Sequence, residues 1–217
     1  MSNVISFDRQ HLLMDPVKAR DTTVSVIGCG TVGSNAAVEL ARLGIGGFEL
    51  WDDDSVESHN LPSQRFVKGD LGRLKTDATR DRVLEVSDIA RVSTRVERIA
   101  GPVMLAGSVV VLAVDSMSAR ECISRVLASS GVGLVMDFRM SANVLQVYSF
   151  AAGDERYAGT LFSDDDADPV PCGGRTVSYT GALAGCLAGG LVRKFLMDGE
   201  VPFLVSVDLG VFDMLTV

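Results

Sequence analysis

The sequence is short of cysteine: four in 217 residues, at Cys29, Cys122, Cys172 and Cys186, with no CxxC pair. That spacing argues against a tetrahedral zinc knot and offers no disulfide framework. Cys29, Cys122 and Cys186 lie in apolar or small-residue stretches, where a thiol is usually a small buried hydrophobe. Basic charge is also in deficit, with Lys and Arg numbering 20 against 28 Asp and Glu, a net charge of -8. A nucleic-acid groove or an anionic membrane is therefore a poor partner, and a basic peptide or tail a better one. No apolar run reaches the roughly twenty residues a bilayer span requires. The N-terminus, MSNVISFDRQ, has no basic-then-apolar signal segment, so the expectation is a cytoplasmic protein. With 47% hydrophobic residues over 217 positions, one α/β domain fills the chain and a second has little room.

What is present is concentrated between Thr22 and Asp52. Thr22, Thr23, Val24, Val26 and Ile27 make a short β-branched, largely apolar run, as a doubly covered parallel strand needs. Gly28-Cys29-Gly30-Thr31-Val32-Gly33 comes at once after it. In such a turn Gly28 permits the tight bend, Gly30 lets backbone approach a phosphate, and Gly33 lets helix pack on strand. Ala36, Ala37, Leu40, Ala41 and Leu43 supply the apolar helical face, and the free amides at the helix start favour an anion. Gly44 ends the helix, and Phe48 to Trp51 makes a second strand closing on Asp52, about twenty residues past the glycines, where a ribose hydroxyl sits in this arrangement. The pattern calls for a nucleotide, and the choice between NAD and ATP falls to the residues beyond Asp52.

After Asp52 comes a polar stretch to Phe66, containing Asp54, Asn60, Ser63, Gln64 and Arg65, longer than a simple turn and so expected to be functional. The stretch Gly69 to Ala78 is expected to start a helix that continues to about Val86, with Lys75 at its beginning. A lysine at a helix start opposes the dipole, which points to a nearby anion. Strands are expected at Ile89 to Val96 and Ser108 to Val114, the latter ending in Asp115 at the edge where open α/β sheets bind ligands. A helix over Met117 to Ser129 leads to a strand at Leu134 to Phe138. A link around Arg139 to Ala142 then joins it to an alternating, antiparallel strand, Asn143 to Phe150. Residues 151–171 read as an acidic mobile crossover, ending near Cys172, Gly173, Gly174 and Arg175. A helix from Tyr179 to Met197, with Gly181, Gly185, Gly189 and Gly190 implying close packing, precedes strands at Phe203 to Asp208 and Val211 to Val217. Residues 1–21 form an N-terminal arm in which Leu12, Leu13 and Met14 mark a short docking helix next to Arg9. The fold class is a Rossmann-like mixed sheet, parallel in its N-terminal half and antiparallel at its C-terminal strands, with helices on both faces.

Six separated features occur in one order: Arg9-Gln10, Gly28/Gly30/Gly33, Asp52/Asp54, Asn60-Leu61-Pro62-Ser63-Gln64, Gly72-Arg73-Leu74-Lys75, and Asp115 with Arg120. In this the chain resembles the ThiF/MoeB/HesA adenylyltransferase superfamily, to which the ubiquitin-activating enzymes belong, over nearly its whole length. The resemblance implies ATP-dependent adenylylation of the C-terminal carboxylate of a ubiquitin-like or sulfur-carrier protein ending in glycine. It implies a single adenylation domain over residues 1–217, with Asp52 on the ribose, Asn60 and Lys75 on the phosphates and Asp115 carrying Mg2+. Gly28, Gly30, Gly33, Asp54, Gln64 and Arg65 complete the implied nucleotide site. Arg9 resembles an arginine supplied across a homodimer interface, and Cys172 lies where some members carry a cysteine that takes over the acyl group; alternatively Arg175 and Tyr179 hold the peptide tail. Ser63 stands where the family loop has arginine, with Arg65 two residues on as a substitute that would point differently. Activation of a peptide carboxylate on the same fold, and a weakly catalytic nucleotide-binding scaffold, are the alternatives. Nicotinamide-dependent reduction fits least, because no proton-relay arrangement comes after the glycine turn.

Overall fold

A computed structural model describes residues 5–101, 103–166 and 177–217. Eight strands form one sheet in the order β3-β2-β1-β4-β5-β6-β7-β8. The parallel part comprises β1 (Thr23–Ile27), β2 (Gly47–Trp51), β3 (Arg91–Arg95), β4 (Val109–Leu112) and the start of β5 (Leu134–Ser141). The antiparallel part adds β6 (Val144–Phe150), β7 (Leu204–Asp208) and β8 (Asp213–Thr216). β1 and β4 are neighbours although β2 and β3 lie between them in the chain. The order therefore reverses between β1 and β4, which opens a crevice beyond their carboxyl ends.

The strands pair because of what they carry. Val24, Val26, Val109, Val110, Val111 and Leu112 are fully buried, as β-branched and apolar residues of a doubly covered sheet must be. On one face α2 (Thr31–Arg42) and α5 (Ser178–Asp198) pack over Val24, Val26, Phe48 and Leu50, with α3 (Lys75–Val86) adding Val83. On the other face α4 (Met117–Leu127) brings Ile123 and Leu127 against Ile27, Val110 and Leu112. Burying one such leucine contributes about 1.5–3 kcal/mol. Leu40→Ala, on the fully buried stripe of α2, would cost about 2–5 kcal/mol.

α5 approaches α2 closely because it carries no side chain at the crossing. A Cβ on Gly181 would lie 2.9 Å from the Ser63 carbonyl oxygen, and one on Gly185 would lie 2.9 Å from that of Asn35. A Cβ on Gly189 or Gly190 would meet nothing within 4 Å among the described residues, so there the packing expected of four glycines is the work of two.

The N-terminal arm forms a 3-10 turn (Asp8–Gln10) and α1 (Pro16–Asp21), the latter capped by the Asp15 carboxylate, which accepts from the Val17 and Lys18 amides. Met14 is buried while Leu12 and Leu13 are exposed, so only part of the expected docking helix docks within this chain. The link expected at Arg139 to Ala142 is mostly strand: β5 continues to Ser141, and the reversal is made by Ala142 at φ 50.

Candidate functional site

The crevice opens on the glycine turn. Gly28 has φ +91, and a Cβ there would lie 2.5 Å from the Ala113 carbonyl oxygen, so the bend tolerates no side chain. Gly33 seats α2 on the turn, since its Cβ would meet the Gly28 carbonyl oxygen at 1.8 Å. Gly30 is different: among the described residues nothing lies within 4 Å of its Cβ position, and none caps the start of the next helix with a side chain. Among the described residues, then, the first amides of α2 have no partner and face open space, the arrangement that receives a phosphate.

Two acids at the end of β2 behave differently. Asp52 turns inward, its Oδ2 accepting from the Cys29 amide at 2.7 Å and its Oδ1 from the Asp54 amide at 2.8 Å. Burial pushes its carboxyl above the usual carboxylate range. Asp54 keeps a half-exposed carboxylate and accepts from Lys75 Nζ at 2.7 Å. That bond holds the Asp54 carboxyl below its ordinary range. The anion called for by a lysine at a helix start is therefore Asp54, whose carbonyl also accepts the Lys75 amide at 2.9 Å. Arg98 closes the cluster from outside, donating to both oxygens of Asp53 at 2.8 and 3.0 Å and lying 3.6 Å from Asp54. Cys29, inside the turn, is fully buried, and burial pushes its thiol far up, so it serves as a small hydrophobe.

The polar loop wraps the start of α2. Buried Asn60 accepts from the Glu57 amide at 2.8 Å through Oδ1, and its carbonyl receives the Gln64 amide at 3.0 Å. The Ser63 and Thr31 hydroxyls are 3.1 Å apart, and Asn35 Nδ2 donates to the Ser63 carbonyl at 3.1 Å. Gln64 Oε1 and Arg65 Nε are buried without a partner among the described residues. Arg65 Nη2 pairs with Glu39 Oε1 at 2.9 Å, so this guanidinium is turned along α2 toward its second half, away from Gly30.

Asp115 stands at the carboxyl end of β4, exposed and just ahead of α4. The start of α4 is capped twice, by the Ser116 hydroxyl on the Ala119 amide and by the Asp164 carboxylate on the Met117 and Ser118 amides at 2.6 and 3.2 Å. Arg120 is buried and engaged beneath the strand ends. Its Nε donates to Asp137 Oδ1 at 2.9 Å, and its Nη2 to the Val114 and Phe138 carbonyls at 2.6 and 3.0 Å. Asp137 also accepts from Arg139 Nε at 2.7 Å and Tyr157 hydroxyl at 3.0 Å. Sequence reasoning named Arg120 beside Asp115 but passed over its carboxylate partner, Asp137. The available signal was a charged residue inside a run read as buried strand.

Gly28, Gly30, Gly33, Asp52, Asp54, Asn60 and Lys75 thus meet around one turn, with Asp115 on the neighbouring strand end. Arg9 does not join them. It is exposed on the arm, and the adjacent Gln10 Nε2 donates to the Arg42 carbonyl at the far end of α2, a helix of 12 residues and so about 18 Å long. Cys172 and Arg175 lie outside the described residues. No helix among the described residues is long and apolar enough to cross a membrane.

Comparison with known proteins agrees with this fold. The Ubiquitin-like modifier-activating enzyme 5 of Caenorhabditis briggsae is 36% identical over 86 residues, 40% of this chain and 20% of that protein. The Sulfur carrier protein ThiS adenylyltransferase of Escherichia coli K12 is 29% identical over 139 residues, 59% of this chain and 55% of that protein. The chain thus matches between about a fifth and about half of these relatives' lengths. Among solved structures, E. coli MccB with ATP superposes with a TM-score of 0.76 at 18% identity, covering 93% of this chain and 65% of that one. This likeness shows the same Rossmann-like fold. The ThiF family model matches residues 12–212, nearly the whole chain, and the protein belongs to the ThiF family.

Proposed function

We propose that the chain is a single ThiF-type adenylation domain that uses ATP to activate the terminal carboxylate of a small protein ending in glycine, a ubiquitin-like or sulfur carrier. The observation that carries this reading is the open turn at Gly30 beside a buried lysine whose side chain, among the described residues, pairs with one exchangeable carboxylate. The triphosphate lies on the amides after Gly30, with Lys75 Nζ and Asn60 toward its oxygens. Asp52, at the end of β2, supplies the carboxylate for the ribose, since each of its oxygens accepts a single backbone amide and keeps acceptor capacity. Gln64 Oε1, buried and without a partner among the described residues, is a further acceptor in this loop.

The chemistry needs positioning and positive charge more than a covalent group. A carboxylate oxygen of the carrier attacks the α-phosphorus, the bond to the bridging oxygen of the β-phosphate breaks, and pyrophosphate leaves. Asp115 is an exposed hard oxygen donor at the strand end, the donor chemistry that suits Mg2+, which supplies charge neutralisation to the phosphates when bound. Ser63 removes one expected cation and Arg65 is engaged by Glu39, which leaves Arg9 of a second copy, expected in its own right, as the further arginine at the phosphates. Exposed Leu12, Leu13 and Val17 beside Arg9 support a homodimer through this arm. Cys172 is the proposed acceptor of the acyl group, its thiolate displacing AMP to form a thioester.

A second reading, activation of a peptide carboxylate, is favoured by the likeness of fold to MccB, which has been solved with MccA. ATP–pyrophosphate exchange separates the two. Exchange dependent on a glycine-ended carrier supports the first reading, and exchange dependent only on a short peptide supports the second. No exchange with either, despite ATP binding, leaves a nucleotide-binding scaffold. Mixing Arg9→Ala with Asp115→Ala chains should restore part of the exchange through hybrid dimers, and absence of rescue would contradict the role of Arg9 in trans.

A further inference from the structure

The buried cluster around Asp137 has no assigned role, and its contacts reach the site from behind. Asp137 is fully buried, yet it sits between two arginines and a phenol: Arg120 Nε at 2.9 Å, Arg139 Nε at 2.7 Å and the Tyr157 hydroxyl at 3.0 Å. Both arginines also hold a separate piece of backbone. Arg120 Nη2 donates to the carbonyl of Val114, the residue immediately before Asp115, at 2.6 Å. Arg139 Nη1 and Nη2 donate to the Thr160 carbonyl at 2.7 Å and hydroxyl at 2.8 Å, at the foot of the crossover segment. The Arg139 guanidinium also lies over the Tyr148 ring at 4.3 Å, which fixes its plane.

One buried carboxylate therefore orients two guanidiniums that pin two separate segments. The first ends in the exposed acid of β4, and the second is the 3-10 stretch Glu155–Thr160. A simple packing role needs no such arrangement, because replacing a buried ion cluster with apolar groups is often neutral or stabilising. What charged groups add is orientation: a forked guanidinium holds a carbonyl at a set height and angle.

We infer that Asp137 is a positioning residue that, through Arg120 and Arg139, sets Asp115 and the foot of the crossover segment in register with one another. This rests on the reading of Asp115 as the metal-side carboxylate for its functional consequence, though not for the coupling itself.

Hydrogen–deuterium exchange on the intact chain tests the coupling without any ligand. Asp137→Asn keeps the shape and removes the charge, and it should speed amide exchange roughly tenfold or more both in residues 113–118 and in residues 155–160. Amides of the glycine turn, residues 28–34, should keep their rates. Arg139→Lys, the milder variant should Asp137→Asn fail to fold, keeps the charge beside Asp137 and gives up the fork on Thr160. It should loosen 155–160 strongly and 113–118 only slightly. Acceleration confined to one segment in Asp137→Asn, or spread evenly over the chain, overturns the coupling. Titration with ATP, with and without magnesium chloride, then reads the consequence. The variant should bind ATP alone as the wild type does and lose most of the gain that magnesium gives. Equal loss with and without magnesium overturns the positioning role. A wild-type chain that binds no ATP overturns the functional reading and leaves the exchange result standing.

Discussion

Two clusters of acids and bases lie along the same edge of the sheet, and they are built to opposite ends. Around Asp137 every strong group is filled: the carboxylate has three donors, and the guanidiniums hold carbonyls as well as the acid. Around Asp54 the same residue types stand open, with the acid half exposed, Arg98 mostly in solvent and Lys75 held, among the described residues, by a single carboxylate. A saturated cluster has nothing left to offer a ligand and stiffens the backbone that carries it. An open cluster exchanges partners at small cost, because pairs near water contribute little on their own. Chemical type alone does not mark a site; spare bonding capacity does.

The largest effect expected is on the filled side. Asp137→Ala leaves two buried guanidiniums facing each other without their acid and should cost about 3–5 kcal/mol in a urea melt. A loss under about 1 kcal/mol would place this cluster in the same class as the exposed one. On the open side, Gly30→Ala should change stability by less than about 1 kcal/mol, because the added methyl meets none of the described residues. The same methyl stands where a phosphate approaches, so ATP affinity should fall at least tenfold by calorimetry.

The smallest effect distinguishes Asp54 by pH. Lys75 holds Asp54 below its ordinary value, so the stability from this pair is present above about pH 4 and is lost as pH falls through the lowered folded value. Asp52, raised by burial, has the opposite sign: its contribution is present at low pH and lost as pH rises through its raised folded value. The stability difference between wild type and Asp54→Asn should therefore be constant from about pH 5 to 7 and shrink below about pH 4. A difference that grows toward acid would assign the pair the wrong sign.

The contrast also explains what could be read from residues alone. Strands, helices and the glycine turn were legible because local periodicity and a glycine at each tight approach specify them. Gly28 and Gly33 each occupy a spot where a Cβ would collide with backbone. The anion beside Lys75 was legible too, since the helix dipole demands one. Asp137 and Glu49 were not. Each interrupts an apolar strand, and their partners, Arg120 and Tyr157 for the first and Ser25 with the Ala106 amide for the second, come from elements that only the fold brings together. The direction of Arg65 was equally hidden, because its partner Glu39 lies on another element. Spacing told that it was displaced, and only the packed loop tells where it points.

In the proposed site Lys75 is the cation that trades Asp54 for phosphate. Titrating ATP into the wild type and into Lys75→Met, at a fixed salt near physiological strength, addresses that exchange most directly. Affinity should fall tenfold or more while the melting midpoint moves little; equal affinity in the two chains would contradict it.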